Sequence, residues 1–342
     1  MDQAFLLRLV ADGHGNVAAR LSEAAGISRQ AASARVSAAV RAGVLVRHGK
    51  GRGVRYALAE THRLEQHFER VGLSEDRVWR SLCAPVVADL PSNVRDIWQY
   101  GLTEMINNAV DHSGASIVSV GIVRNALYTQ AWVADDGEGI FLKIAKALDL
   151  YDPRESILEL AKGKLTTDPD NHSGEGIFFS SKVFDLFDIR SGALHFMHDD
   201  GHDDVLIERP KDAPGTLVLM RLSNQSTRTT KEIFDKFAAP DEYTFAKTIV
   251  PVRLAQHEGE KLVSRSQAKR LTMRFERFKS VILDFAGVEE IGQAFADQVF
   301  RVFQKAHPDT RLVPVSMSPS VKEMVSRAKS LAEVAPEIRT AG

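Results

Sequence analysis

Two short glycine motifs constrain this chain more than any other feature. Asp135-Asp136-Gly137-Glu138-Gly139 closes the run "YTQAWVADDGEGI", and Gly174-Glu175-Gly176 opens the run "GEGIFFSSKVFDLF". The first run reads as a β-strand, so its carboxylates and glycines stand at a strand end. The second leads from glycine directly into a helix. Glycine at such junctions lets a backbone pass close to a ligand or to another segment. At a helix start, unpaired N–H groups and the helix dipole favour an anion. Either motif alone is a weak signal.

Upstream lies "GLTEMINNAVDHSGA", residues 101–115, unusually rich in Asn and acidic groups for a helix. Asn and Asp compete for their own backbone and are poor helix formers. On a helix over 94–112, at about 100° per residue, Trp98, Leu102, Met105, Ile106 and Ala109 share one side. Glu104, Asn107, Asn108, Asp111 and His112 share the other. Glu104 and Asn108 are one turn apart and aim at one spot. Taken alone, this pattern reads first as an amphipathic surface helix with its polar side in water. "SIVSVGIV" reads as another strand, and "APGTLVLMRLS" as a strand opened by Gly215-Thr216.

The order changes the weight of these signals. Glu-x-x-x-Asn on a helix, Asp-x-Gly-x-Gly, Gly-x-Gly before a helix and Gly-Thr on a strand together resemble the GHKL ATPase superfamily. That superfamily includes gyrase B, histidine kinases and anti-sigma-factor kinases. The resemblance covers about residues 91–225 and implies an α/β sandwich that binds ATP with Mg²⁺. It implies that Asn108 coordinates the Mg²⁺, a hard oxygen ligand for a hard ion. It implies that Asp135 accepts the adenine amine and that Thr216 supports Asp135. Gly137, Gly139, Gly174 and Gly176 would let the chain wrap the nucleotide. Glu104 sits where hydrolysing members keep a general base. Residues 141–173 would form a lid, with Lys162, Lys164 and Thr167 within reach of phosphates. A sensor-kinase dimerisation helix is missing. His62, the obvious phosphoacceptor, lacks the acidic residue that usually follows.

Residues 1–60 hold nine Lys or Arg against four acids, about +5 on a chain whose net charge is −1. "AFLLRLVADGHGN", "VAARLSEAAG" and "RQAASARVSAAVRAG" read as three helices punctuated by glycine, with Asn16 and Ser28 as N-caps. Helix, helix, short turn and helix form the helix-turn-helix pattern. Ala32, Val36, Ala39 and Val40 share the core face of the third helix. Gln30, Ser37 and Arg41 project from the other side, small, polar and basic as a major-groove reader requires. "VLVRHGKGRGVRYAL" predicts two strands around a tip bearing Lys50 and Arg52, which resembles the wing of a winged helix. Wing cations contact phosphates and carry little sequence information. Some winged helices bind protein instead. Residues 61–90 read as a helical linker.

Residues 226–243 read as a second linker, and strands alternate with helices over 244–330. That alternation predicts an α/β sheet covered by helices. "VILDFAGVEEIGQAFAD" resembles the STAS domain, but Gly292-Gln293-Ala294-Phe295 stands where phosphorylatable members open their helix with Asp-Ser-Ser-Gly. A phosphoswitch is therefore not expected there. Ser264 and Ser266 read as helix caps, and residues 331–342 as a tail. "HFMHDDGHDDVLIE" has His198, Asp199, His202 and Asp203 in a metal-like composition, which a hairpin turning at Gly201 also explains.

The expected whole is multidomain, α/β and α+β: a winged helix, a GHKL α/β sandwich and a STAS-like α/β domain. Cys83 is the only cysteine, so no intrachain disulfide can form, which fits a cytoplasmic protein. No apolar run approaches the ~20 residues of a membrane span. The expected function is an ATP-binding, ATP-hydrolysing regulator whose winged helix binds DNA. An anti-sigma-type protein kinase and a non-hydrolysing nucleotide sensor are the alternatives. A protein partner for the STAS-like domain and a homodimer fit the same reading.

Overall fold

A computed structural model describes residues 3–13, 15–165, 174–199, 205–208, 213–238, 244–256 and 260–334. Thr167, Gly201, His202, Asp203 and residues 335–342 lie outside them, and the Arg52 side chain is also not described. The chain divides into two compact units. One holds Met1–Gly137, Phe184–Ile189 and Leu217–Thr229; the other holds Glu138–Val183, Arg190–Thr216 and Thr230–Gly342.

The first unit begins with α1 (Gln3–Ala11), α2 (Val17–Ala25) and α3 (Arg29–Arg41), followed by the hairpin β1 (Leu45–His48) and β2 (Arg55–Leu58). Leu6, Leu7, Val10, Val17, Leu21, Ala32, Val36, Ala39 and Leu45 form its core. The Ser28 hydroxyl caps α3 by accepting the Ala31 amide at 3.1 Å. Asn16 does not cap α2 through its side chain. It adopts the left-handed conformation at φ 59°, one that Asn tolerates better than most residues, and its carbonyl accepts the Ala19 and Arg20 amides.

The expected helical linker is different. Residues Glu60–Glu69 form a strand, β3, antiparallel to β4 (Ile117–Asn125) with Arg63 opposite Val123 and Leu64 opposite Ile122. Helical turns α4 (Glu75–Val78) and α5 (Ala84–Val87) follow, joined by a wider turn. Almost every residue of β3 is exposed. Its polar sequence lacks the apolar alternation by which a strand is recognised, and pairing with β4 holds it instead. β4 pairs with β5 (Tyr128–Asp135), and the strand order continues through β9 (Thr216–Ser223) to β6 (Leu186–Ser191). Helix α6 (Ser92–His112) packs on this sheet through Val94, Ile97, Trp98, Leu102, Met105, Ile106 and Ala109, all buried. Each fully buried large side chain contributes about 1.5–3 kcal/mol.

The second unit holds α7 (Ile140–Ala147), α8 (Glu155–Lys162) and α9 (Gly176–Val183), with the hairpin β7 (Leu194–Asp199) and β8 (Val205–Glu208). After α10 (Thr230–Phe237), the parallel sheet β10 (Lys247–Pro251), β11 (Ser280–Asp284), β12 (Arg311–Val315) appears. Helices α11 (Arg265–Thr272), α12 (Gln293–Asp297), α13 (Gln304–Ala306) and α14 (Pro319–Val334) accompany it. α12 and α13 are joined by a wide helical turn. This is the β-α alternation expected for the C-terminal third. Ser264 caps α11 in a reciprocal box with Gln267. Six phenylalanines, Phe178, Phe179, Phe234, Phe237, Phe245 and Phe278, pack ring on ring around α9, α10 and the start of the parallel sheet.

Candidate functional site

In the first unit the candidate residues lie on α6 and at the end of β5. Burial of the Trp98 side directs Glu104, Asn107 and Asn108 away from the core, and these three are half-buried. The Asn108 side-chain nitrogen Nδ2 is fully buried and makes no hydrogen bond within the protein. A buried polar group left unpaired costs about 1–3 kcal/mol, a cost this donor carries within the protein. Trp98 Nε1 is likewise unpaired, but its ring packs against Phe184 at 4.8 Å, where indole burial offsets the loss.

At the strand end, Asp135 Oδ1 accepts the Gly137 amide at 2.9 Å. Asp136 Oδ1 accepts the Ser116 and Ile117 amides at 2.8 and 3.0 Å. Those amides, Ile117 first, hold the Asp136 carboxyl below the usual carboxylate range. A Cβ at Gly137 would stand 2.1 Å from the Ser113 carbonyl oxygen just beyond α6. Only glycine lets the strand end come this close, and the approach brings the end of β5 against the end of α6.

The remaining sequence candidates fall in the second unit. The Thr216 hydroxyl accepts the Ile140 amide at 3.0 Å, satisfying one orphan N–H of α7. Gly139 precedes that helix, and a Cβ there would meet Ser191 Oγ at 2.6 Å. Gly174 has φ 70°, and a Cβ on it would lie 2.4 Å from the Leu165 backbone. Its carbonyl accepts the Leu165 amide at 3.1 Å, and Gly176 starts α9.

The lid cations are placed differently from the expectation. Lys162 is fully buried. Its Nζ donates to Glu159 Oε1, to the Arg270 carbonyl at 3.1 Å and to the Met273 carbonyl at 3.0 Å. The last two are C-terminal carbonyls of α11. Arg274 returns the arrangement: its guanidinium donates to Glu159 Oε2 at 2.8 Å, to the Gly163 carbonyl at 2.8 Å and to the Lys164 carbonyl, where α8 ends. Lys162 of α8 thus caps the end of α11, and Arg274, two residues past α11, caps the end of α8, with Glu159 between the two cations. Arg270 adds a 2.7 Å bond to Glu155. Lys164 Nζ donates to the Arg277 carbonyl at 3.0 Å and lies 5.1 Å from the Phe278 ring centroid. Neither lysine is poised for phosphate here, because both are committed to the C-terminal part of the chain. Glu159 and Lys162 are a visible pair three residues apart, but nothing local points to Arg274.

Residues 267–322 match a family model for a STAS-like domain of unknown function (DUF4325). The match lies inside the β-α region expected to be STAS-like. No curated protein matches the chain. In the STAS-like domain Gly292 precedes α12, and its amide donates to the Leu262 carbonyl at 2.8 Å. No hydroxyl stands at Gly292-Gln293-Ala294-Phe295, so the expected lack of a phosphoacceptor there is a fact of composition. Reciprocal capping makes α8 part of the body that carries the STAS-like domain.

On α3, Gln30, Ser37 and Arg41 are exposed opposite the buried Ala32, Val36 and Ala39, and Lys50 is exposed before the β1–β2 turn. Among the described residues no group of three His, Cys, Asp or Glu could hold a metal ion, and no helix is long and apolar enough to cross a membrane. His198 and Asp199 lie on β7, which pairs with β8 as a hairpin.

Proposed function

We propose that the chain is an ATP-binding regulator in which Asn108 is the Mg²⁺ ligand, Glu104 the general base and Asp135 the adenine-selecting carboxylate. The observation that carries this reading is the buried Asn108 Nδ2, which makes no hydrogen bond within the protein, one helical turn after Glu104. The amide end exchanges by a half-turn of the side chain, so the same site can offer Oδ1 to a cation. Mg²⁺ bound there would neutralise phosphate charge. Glu104 would orient the attacking water, and the close backbone approach at Gly137 leaves the Asp135 side chain at a glycine-lined strand end. The exposed face of α3 with Gln30, Ser37 and Arg41, and the wing with Lys50 and Arg52, would bind DNA. The STAS-like domain supplies the surface for a protein partner.

The test is calorimetry with Mg-ATP together with phosphate release. Asn108→Ala and Asp135→Asn should each weaken binding by about tenfold or more, since a lost hydrogen bond to a charged group is worth about 1.5–3 kcal/mol. Glu104→Ala should bind Mg-ATP and release no phosphate. Unchanged ATP affinity in both binding variants would sink the assignment.

A further inference from the structure

Among the described residues strand β3 ends its sheet: it pairs with β4 on one side only. It runs ten residues, Glu60–Glu69, and Thr61 through His67 are all exposed. It carries no proline. A long unpaired edge is a template for another strand, and natural sheets blunt such edges by shortness, proline, bulges or charged side chains; the charges on β3 are of both signs, with Arg63 two residues from Glu65. The one irregularity on β3 lies between Glu60 and His62, at its start.

We propose that β3 pairs antiparallel with β3 of a second copy of this chain, about a two-fold axis at Leu64. The proposal stands independently of the ATP reading. Ladder geometry limits the registers. Along an antiparallel strand the N–H and C=O of successive residues point to alternate sides, so a free edge can pair with its copy only with a residue on the axis. Arg63 on the axis faces Arg63, and Glu65 on the axis faces Glu65, both like-charge pairs that destabilise. With Leu64 on the axis, Arg63 faces Glu65 of the other copy and Glu65 faces its Arg63. His62 then faces Gln66, and Thr61 faces His67. Leu64, 40% exposed, faces itself across the axis and gains an apolar neighbour. Arg63 already holds Glu60 of its own strand at 2.6 and 2.7 Å, an exposed and therefore weakly held pair. Its remaining N–H groups can serve Glu65 of the copy. Self-complementary charge around a self-facing leucine selects a second copy over an unrelated strand.

The experiment uses the full-length chain. Leu64→Cys places identical thiols opposite each other, within the Cα spacing of about 4.5–5.5 Å for a facing pair, which a disulfide spans. The only native cysteine, Cys83, is buried and its thiol is pushed up to about 12 by burial, so it does not compete. Mild oxidation should convert Leu64→Cys to a covalent dimer, while Glu65→Cys stays largely uncrosslinked. In parallel, sedimentation should show a concentration-dependent dimer for the wild type. Arg63→Glu alone and Glu65→Arg alone should each raise the dimer Kd by about tenfold or more, and the double swap should restore it. A wild type that stays monomeric at high micromolar concentration overturns the proposal. So does a dimer indifferent to all three charge variants. Crosslinking through Gln66→Cys in preference to Leu64→Cys overturns the register, because it places Arg63 opposite Glu69.

Discussion

Lys162 is a cation enclosed on all sides, and enclosure changes its chemistry. Burial pulls its amine down to about 8, against the opposing pull of the Glu159 charge and hydrogen bond, while the Arg274 charge lowers it further. An unfolded lysine keeps its proton to about 10.4. Between those values the unfolded chain binds more protons than the folded one, so stability rises with pH there. The group should contribute an increase of up to ~3 kcal/mol across that window, at ~1.4 kcal/mol per unit. The check is denaturant unfolding of the wild type and Lys162→Met at pH 7, 8.5 and 10. The wild type should gain on the variant as pH rises; parallel curves would show that Lys162 is not titrating from a depressed value. Asn108 shows the opposite use of burial. Its Nδ2 is buried and makes no hydrogen bond within the protein, whereas every hydrogen-bonding direction of Lys162 is taken.

At the scale of elements, α8 and α11 are the pair to perturb. Neither has eight favourable residues to spare: isolated helices this short are marginal in water. Lys162 of α8 holds the end of α11, and Arg274, just past α11 and in the left-handed conformation at φ 66°, supplies the cap of α8. Removing one partner of a buried pair typically costs about 3–5 kcal/mol. Arg274→Ala should therefore destabilise the second unit by that order and speed amide hydrogen exchange in both α8 and α11. Exchange confined to α11 would show that the cap on α8 contributes nothing. The α6 helix differs, since burial of one face along 21 residues holds it. Its length and periodicity were legible in the residues, and so was the face on which Glu104 and Asn108 sit. The orphaned state of the Asn108 amide was not, because burial of a half-polar side depends on what packs across it.

For the molecule as a whole, the proposed function joins a basic winged helix to a nucleotide-binding body. Residues 1–60 carry about +5. If about five cations meet phosphates, log affinity for duplex DNA should fall against log salt with a slope near −4 to −5. Replacing Lys50 and Arg52 by Ala should flatten the slope by about two and leave sequence preference intact, while replacing Gln30 and Ser37 should relax preference at nearly constant slope. Gel-shift titrations at two salt concentrations, with and without ATP, measure both. Absence of binding at low salt would remove the DNA reading. If β3 joins two copies, the preferred site should be two-fold symmetric, as dimeric readers require.

The residues by themselves determined the three helices and hairpin of the head, the polar and apolar sides of α6, the strands leading to Asp135, and the β-α order of the STAS-like domain. Periodicity, caps and glycine turns are local properties, readable within a few turns of chain. Tertiary structure alone decided three other matters. It made a strand of Glu60–Glu69, whose polar residues show no alternation and which pairing to β4 holds extended. It gave Asn16 a left-handed backbone in place of a side-chain cap. It buried Lys162 against carbonyls 108 and 111 residues away and brought Arg274 to a carboxylate 115 residues back. Long-range burial sets the dielectric and the partners of a charge, and neither is written in the residues beside it.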